Sequence, residues 1–151
     1  MSIHKIETKE ISSYTVISKR EIGTYGGTIP KLIGELMAKI FQNGLAIAGP
    51  MIYICHDEEY KEEGADIEVA IPIQETSVTL EEAEIKELPG GKAVTLLHQG
   101  AHGEIGAKYG ILLEYIAKNN LEIKGPNREG YLKGGNDVPE KDQLTELQFF
   151  I

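Results

Sequence analysis

The stretch "NGLAIAGPMIYI" at residues 43–54 decides the fold, because "NNLEIKGPNREG" at residues 119–130 repeats its pattern. Aligning the two Gly-Pro pairs sets Pro126 opposite Pro50, an offset of 76 residues. Such a repeat at a fixed offset indicates a duplicated structural unit. The chain therefore reads as two similar halves.

Each copy of the stretch follows a helical pattern. A strand-like run ends in "IGTYG" (residues 22–26) or in "HQGAHG" (residues 98–103), and an apolar row at helical spacing comes next. Both rows stop near Asn or Gly, residues that commonly end helices. The two rows consist of Ile33, Leu36, Met37 and Ile40 in the first half, and of Ile105, Tyr109, Leu112, Leu113 and Ile116 in the second.

Strand patterns surround the two helices. Each half is predicted to contain a lead-in strand, a strand, the helix, and then two strands separated by an acidic loop, with residues 75–92 as connector and lead-in. The predicted lead-in strands are residues 3–10 and 84–88, the strands after Gly-Pro are 51–55 and 128–132, and the final strands are 66–73 and 144–151.

This order predicts an α+β fold made of duplicated β-α-β-β units with pseudo-twofold symmetry. We expect a curved antiparallel sheet with two main helices and a central groove, in a single domain over residues 1–151 whose halves cover about 1–74 and 82–151. The same offset sets Tyr53 opposite Glu129, where the halves are expected to converge.

Composition narrows the classes of function. The chain has 151 residues, 41% of them hydrophobic and 26% charged, as in ordinary globular domains. A net charge of −9 disfavours direct nucleic-acid binding. No secretory signal or membrane-spanning run is present, so we expect a cytoplasmic protein without membrane contact. Since the N-terminus almost reaches the first strand, we also expect no attached helix-turn-helix.

Metal and cofactor chemistry has little support in the sequence. His98 and His102 are four residues apart, but glycines interrupt the helix that would bring them together. Cys55 is the single cysteine and its neighbours alternate between strand faces, so ordinary packing is its expected role. The glycines of "GTYGG" lack the spacing of a phosphate-binding loop. We therefore expect neither a metal nor a cofactor.

Taken in this order and spacing, several motifs resemble the GyrI-like small-molecule-binding domain, which is also the effector-binding domain of multidrug-responsive transcription regulators. The resemblance covers nearly the whole chain. The motifs that carry it are "IGTYG", "NGLAIAGP", "DIEVAIPI", "LPGGKAVTLLHQGAHGEIGAKYGILLEYI", "GPNREGYL" and "TELQFF".

The resemblance implies a binding site. In "GPNREGYL", Glu129 and Tyr131 match a family pattern whose glutamate meets the positive charge of lipophilic cations on the floor of an aromatic pocket. Tyr109 and Tyr115 match aromatic positions on the second helix. His102 replaces the family's usual tyrosine at the pocket mouth. Together with Tyr53 and Tyr25, the predicted ligand-binding residues are Glu129, Tyr131, Tyr53, Tyr109, Tyr25, Tyr115 and His102.

Each residue also has a plainer interpretation. Glu129 could point into solvent from an edge strand beside Arg128 or Lys133, because glutamates are mostly exposed. Tyr53 and Tyr25 could be ordinary core tyrosines. Tyr109 and Tyr115 are six residues apart and do not fully share one helix face, so at least one of them could serve packing alone.

Three functions are compatible with these residues. The first is a freestanding protein that binds lipophilic, often cationic, aromatic molecules through one buried charge and several aromatic faces. The second, which the resemblance implies, is a hydrolase of cyclopropane-bearing electrophiles. Glu129 would be the general base for a water or would support a developing cation, and Tyr53 or Tyr131 would donate a proton or a hydrogen bond to the substrate carbonyl. The third is a protective protein that contacts gyrase; a separate regulator is a further possible partner.

Overall fold

The computed structural model describes residues 5–57, 61–134 and 137–151, without the side chain of His102. These residues form two helices and eight strands, and their order confirms the predicted duplication of a β-α-β-β unit. The elements are β1 (Ile6–Ile11), β2 (Tyr14–Gly23), α1 (Tyr25–Gln42), β3 (Ile52–Cys55), β4 (Ala65–Pro72), β5 (Glu84–Leu88), β6 (Gly91–Gln99), α2 (Gly106–Lys118), β7 (Asn127–Lys133) and β8 (Leu144–Phe150).

The chain divides into two compact units. Unit A is Ser12–Gly90, and unit B joins Met1–Ile11 to Gly91–Ile151. The strand order is β3-β4-β2-β5 in unit A and β1-β6-β8-β7 in unit B, and neighbouring strands within each unit are antiparallel. The predicted α+β class with antiparallel pairing is confirmed.

The two lead-in strands are exchanged between the sequence halves. β1 opens the first half but pairs with β6 of the second, with Ile6 opposite Leu96. β5 opens the second half but pairs with β2 of the first, with Tyr14 opposite Leu88. Local patterning locates both strands, but it carries no information about partners so far away in sequence. Unit A therefore covers residues 12–90, whereas the first half of the sequence repeat covers about 1–74.

The quoted repeats end the two helices in the same way. The side-chain amide of Asn43 donates to a backbone carbonyl one turn back at 2.9 Å, and that of Asn119 does so at 2.8 Å. The following residues, Gly44 and Asn120, are both left-handed, with φ of 61° and 54°. Asparagine and glycine tolerate this conformation, so each chain can leave its helix there. Within the described residues, neither helix is long and apolar enough to cross a membrane.

In unit A, α1 packs against β2 and β4. Its buried apolar residues are Leu32, Leu36 and Ile40, which recur every four residues along one face. Met37, which the sequence placed in the apolar row, is 42% exposed. The residues of α1 that face the strands are therefore spaced i, i+4 from Leu32, and Met37 lies beside this row rather than in it.

In unit B, α2 covers the strands in the same manner. Leu112 and Ile116 of α2 join an apolar cluster with residues of β6 and β8, and Leu113 remains 44% exposed. The strand residues of this cluster are Val94, Leu96, Leu147 and Phe149. Alternate residues of β6 and β8 therefore face α2, and this alternation fixes the direction of every other side chain on these strands.

An ion pair is duplicated together with the fold. Lys86 of β5 bonds Glu68 of β4 at 2.6 Å, and Lys9 of β1 bonds Glu146 of β8 at 2.6 Å. In each unit the lysine of the exchanged lead-in strand reaches past the middle strand to the third one. The Glu68 side chain is 4% exposed and that of Glu146 13%. The two lysine–glutamate pairs are therefore equivalent in position, but the glutamate of unit A is more deeply buried than that of unit B.

Candidate ligand-binding site

Glu129 is a buried carboxylate on the inner face of unit B. It lies in β7 opposite Leu147 of β8, a member of the cluster beneath α2, and it is only 5% exposed. Paired residues on neighbouring antiparallel strands share a face, so the carboxylate points toward α2. The interpretation of Glu129 as a solvent-facing glutamate is wrong.

Two tyrosines donate hydrogen bonds to this carboxylate. The hydroxyl of Tyr109, on α2, donates to Oε2 of Glu129 in a short contact. The hydroxyl of Tyr131, two residues along β7, donates to Oε1 at 3.3 Å. The Tyr109 ring also packs edge-on against Phe149, with ring centroids 6.0 Å apart. Three residues that the sequence predicted for one site thus meet within unit B.

These contacts make the burial of a charge tolerable. A carboxylate removed from water costs several kcal/mol unless hydrogen bonds or an opposite charge compensate it. Two phenol donors supply hydrogen bonds to Glu129. The resulting site has a negative group among aromatic rings, an environment in which a cation is stabilised by both.

The pKa of Tyr131 lies well above its usual value. Burial is the largest cause, because a phenolate would be poorly solvated there, and the neighbouring charge of Glu129 and its hydrogen bond add to the effect. Tyr131 is therefore a protonated donor throughout the neutral range.

We expect this shift to appear in alkaline unfolding. An unfolded tyrosine ionises near about pH 10, so the stabilisation from un-ionised Tyr131 is complete below about pH 10 and is lost as the pH rises toward its higher folded pKa. Urea unfolding across this pH range should show that the free energy of unfolding falls less steeply with pH in Tyr131→Phe than in the wild-type protein. The two slopes should differ by up to about 1.4 kcal/mol per pH unit.

Glu129→Gln is the matched variant for this measurement. It removes the charge of Glu129 but leaves Tyr131 buried, so the pKa of Tyr131 should stay raised by a smaller amount. The pH range over which stability is lost should therefore become narrower but not disappear. Equal slopes in the wild-type protein and Tyr131→Phe would contradict the prediction.

Arg128 precedes Glu129 on β7, and its side chain leaves the strand on the opposite face. Neighbouring residues of a strand point to opposite faces, and the Arg128 guanidinium lies over the ring of Phe150, 4.4 Å from its centroid. Phe150 follows Phe149, which faces α2. The Arg128 side chain therefore lies on the face of the unit B strands that is turned away from α2, where it contacts the Phe150 ring.

Unit A contains a second aromatic cluster. Tyr53 of β3 is 4% exposed, and Tyr25, the first residue of α1, meets it edge-on with ring centroids 6.2 Å apart. Thr24 positions Tyr25, since its hydroxyl caps the helix by accepting from the Gly27 amide at 3.2 Å. Burial raises the pKa of Tyr25, although hydrogen bonds from the Lys61 amide and with Tyr53 oppose the rise.

The remaining predicted residues have different positions. Tyr115 is partly buried and packs against the apolar cluster under α2, and the predicted role of the His102 side chain lies outside the described residues. Cys55 is partly buried, and its thiol lies 3.6 Å from the Asp57 carbonyl. Ligand contact by Tyr25, Tyr53, Tyr115 and His102 stays a prediction.

Sequence reasoning missed the packing of His98. This residue was weighed only as a metal ligand, yet its ring is 98% buried on β6. Among the described residues, no group of three or more His, Cys, Asp or Glu side chains is placed to hold a metal ion. The alternation of apolar residues along "AVTLLH" is the signal that places His98 on the inner face with Val94 and Leu96.

A shallow depression of about 240 Å³ lies elsewhere, on the surface of unit A. Its edges are ion pairs, Lys19 with Glu35 at 2.6 Å and Lys39 with Glu82 at 3.2 Å. Open, charged walls of this kind suit water better than an apolar ligand. We therefore place the candidate site at Glu129.

The comparison with known families defines the chain as a small-molecule-binding domain. The model of the GyrI-like small molecule binding domain matches residues 4–151, and the chain belongs to this family.

Three similar proteins illustrate the relationship. The SPbeta prophage-derived protein YosT of Bacillus subtilis, named as a candidate transcriptional regulator, is 27% identical over 124 residues, which are 80% of this chain and 83% of YosT. The C-terminal domain of EcmrR is 25% identical with a TM-score of 0.88, over 98% of this chain and 97% of that one. A hydrolase of Listeria innocua encoded by lin2189 shares the fold, with a TM-score of 0.69 at 14% identity over 96% of this chain and 90% of that one.

EcmrR has also been solved in complex with DNA. In that comparison the match covers 97% of this chain but 56% of the EcmrR chain, so this protein spans about half of EcmrR. The expectation that this chain makes no direct contact with nucleic acid stays a prediction.

Proposed function

We propose that this protein binds lipophilic, cationic aromatic molecules, with Glu129 as the group that meets the positive charge. The observation that carries this proposal is a carboxylate only 5% exposed that accepts hydrogen bonds from the hydroxyls of two tyrosines. A cation bound beside this carboxylate would be attracted to it in surroundings where water competes poorly.

The tyrosines give the site its breadth. Their rings offer flat faces for stacking and cation–π contact, worth roughly 0.5–2 kcal/mol each. Few directional hydrogen bonds are involved, so the site selects for charge and aromaticity more than for one molecular outline. This is the physical basis on which we extend the family's small-molecule binding to a class of cations.

A matched pair of probes tests the proposal. N-methyl-4-styrylpyridinium and 4-methylstilbene have nearly the same shape, but only the first is charged. Isothermal titration should show that the wild-type protein binds the cation. It should bind the neutral compound at least about tenfold more weakly, which corresponds to a difference in binding free energy of about 1.4 kcal/mol. Equal affinity for both, or binding of neither, would contradict the proposal.

A hydrolase is the second candidate. Tyr131, whose pKa is raised, stays protonated beside Glu129, so the pair combines a base with a proton donor. Glu129 would take a proton from water as the water oxygen attacks a cyclopropane carbon. The carbon–carbon bond that breaks would pass its electrons to a conjugated carbonyl, whose oxygen takes the proton of Tyr131. The proton held by Glu129 would then pass to the Tyr131 oxygen along their hydrogen bond and restore both groups.

Turnover separates the two candidates. The purified protein is incubated with excess reactive cyclopropanes, and mass spectrometry follows the addition of one water to each substrate molecule. More than one equivalent of product, lost in Glu129→Gln, would establish the hydrolase. Binding without product would leave the binding function alone. The gyrase-protecting role has no supporting contact in the described residues and stays a prediction.

A further inference from the structure

His98 is a buried polar residue that the proposed charge recognition leaves unused. It lies on β6 and is 2% exposed. Its Nε2 lies 2.9 Å from the Ala101 carbonyl oxygen. Since a carbonyl only accepts, this contact assigns the hydrogen to Nε2, and Nδ1 of the neutral ring is then an acceptor.

The Nδ1 atom is buried without a hydrogen-bond donor among the side chains and backbone that the structure describes. An unsatisfied buried acceptor costs about 1–3 kcal/mol, and native proteins contain few of them. A hydrogen-bond donor that reached Nδ1 would remove this cost.

The sheet register places His98 on the same face as the Glu129 site. His98 is opposite Thr145 of β8, and Thr145 is opposite Tyr131 of β7. Directly opposed residues point to one face, so all three side chains point toward the α2 side. Two strand spacings separate the backbones of His98 and Tyr131 by about 10 Å.

We propose that His98 is a second ligand contact, whose Nδ1 accepts a hydrogen bond from an N–H or O–H group carried by the ligand. This inference rests on the proposed function and narrows its ligand class. The preferred ligand is an elongated aromatic cation with its charge at Glu129 and a hydrogen-bond donor at the opposite end. A ligand with an ether at that end leaves Nδ1 unsatisfied.

Two probes that differ in one hydrogen-bond donor test this proposal. One is N-methyl-4-styrylpyridinium with a hydroxymethyl group at the far end of the styryl ring, and the other has a methoxymethyl group there. The wild-type protein should bind the hydroxymethyl probe roughly five- to tenfold more tightly. His98→Leu should abolish this preference, and His98→Gln should keep it, because the glutamine amide both donates and accepts.

The outcomes separate the two proposals. If the wild-type protein binds both probes equally, or if His98→Leu keeps the preference, the role of His98 is overturned. If Glu129→Gln still weakens the binding of both probes, the proposed function stands although the role of His98 does not. Binding of neither probe overturns both proposals.

A second measurement does not depend on the folding of His98→Leu. Nitrogen-15 NMR of the wild-type imidazoles should show an unprotonated Nδ1 in His98 whose signal moves upfield when the hydroxymethyl probe binds. The methoxymethyl probe should leave this signal in place. An Nδ1 signal that both probes move alike, or that neither moves, contradicts the proposal.

Discussion

Replacing Glu129 with glutamine should weaken the binding of N-methyl-4-styrylpyridinium at least about a hundredfold. Glutamine keeps the shape of the side chain; its amide oxygen can accept from one tyrosine and its amide nitrogen can donate to the hydroxyl of the other, so the substitution removes charge with little change in packing. Truncating one partner of a buried charge pair costs about 2–5 kcal/mol, and a hundredfold loss corresponds to about 2.7 kcal/mol. Isothermal titration measures the loss directly.

Two controls make this result specific to the buried charge. Glu114→Gln removes the same charge from an exposed position on α2 and should change affinity less than about twofold. Urea unfolding of Glu129→Gln should give a free energy close to that of the wild-type protein, or higher, because a buried charge no longer needs compensation. If Glu129→Gln and Glu114→Gln bind the cation alike, Glu129 is not the recognising group.

Replacing Lys86 with methionine should lower the free energy of unfolding by about 2–3 kcal/mol, while Lys9→Met should cost about 0–1 kcal/mol. Both lysines bond their glutamates at 2.6 Å, and each glutamate keeps another donor, His56 in one unit and Gln148 in the other. Burial is the main difference between the two pairs, because the Glu68 side chain is 4% exposed and that of Glu146 13%.

The pH dependence checks this explanation. Burial alone would raise the pKa of Glu68, but hydrogen bonds from Lys86 and His56 outweigh it and hold the pKa below its usual value. The resulting stabilisation is present above about pH 4.5 and is lost as the pH falls through the lower folded pKa. The cost of Lys86→Met should therefore shrink in acid. Equal costs for Lys86→Met and Lys9→Met at neutral pH would contradict the role of burial.

The sequence was informative where local chemistry decides the structure. The repeated Asn and Gly positions predicted both helix ends, because the left-handed conformation after a helix favours glycine or asparagine, as at Gly44 and Asn120. Duplication also drew attention to Glu129, whose residue type alone predicts exposure. Its burial beside Tyr109 and Tyr131 depends on which strands pair and on where α2 lies.

Other features depended on partners far away in the chain. Nothing within "IETKEI" indicates that β1 pairs with β6, about ninety residues later, because strand patterns specify faces and not neighbours. For His98 the sequence offered only a metal pair with His102, which the intervening glycines disfavoured. The actual partner of His98 is the carbonyl of Ala101, a backbone group that a sequence pattern does not reveal.

The exchange of lead-in strands has a consequence for biosynthesis. Every strand partner in unit A emerges from the ribosome before residue 91, whereas β1 emerges first and finds its partner only when residues 91–96 follow. At about 5–20 residues per second, β1 waits several seconds with an open edge. Its residues Glu7, Lys9 and Glu10 place charges along that edge, a composition that discourages pairing with other nascent chains.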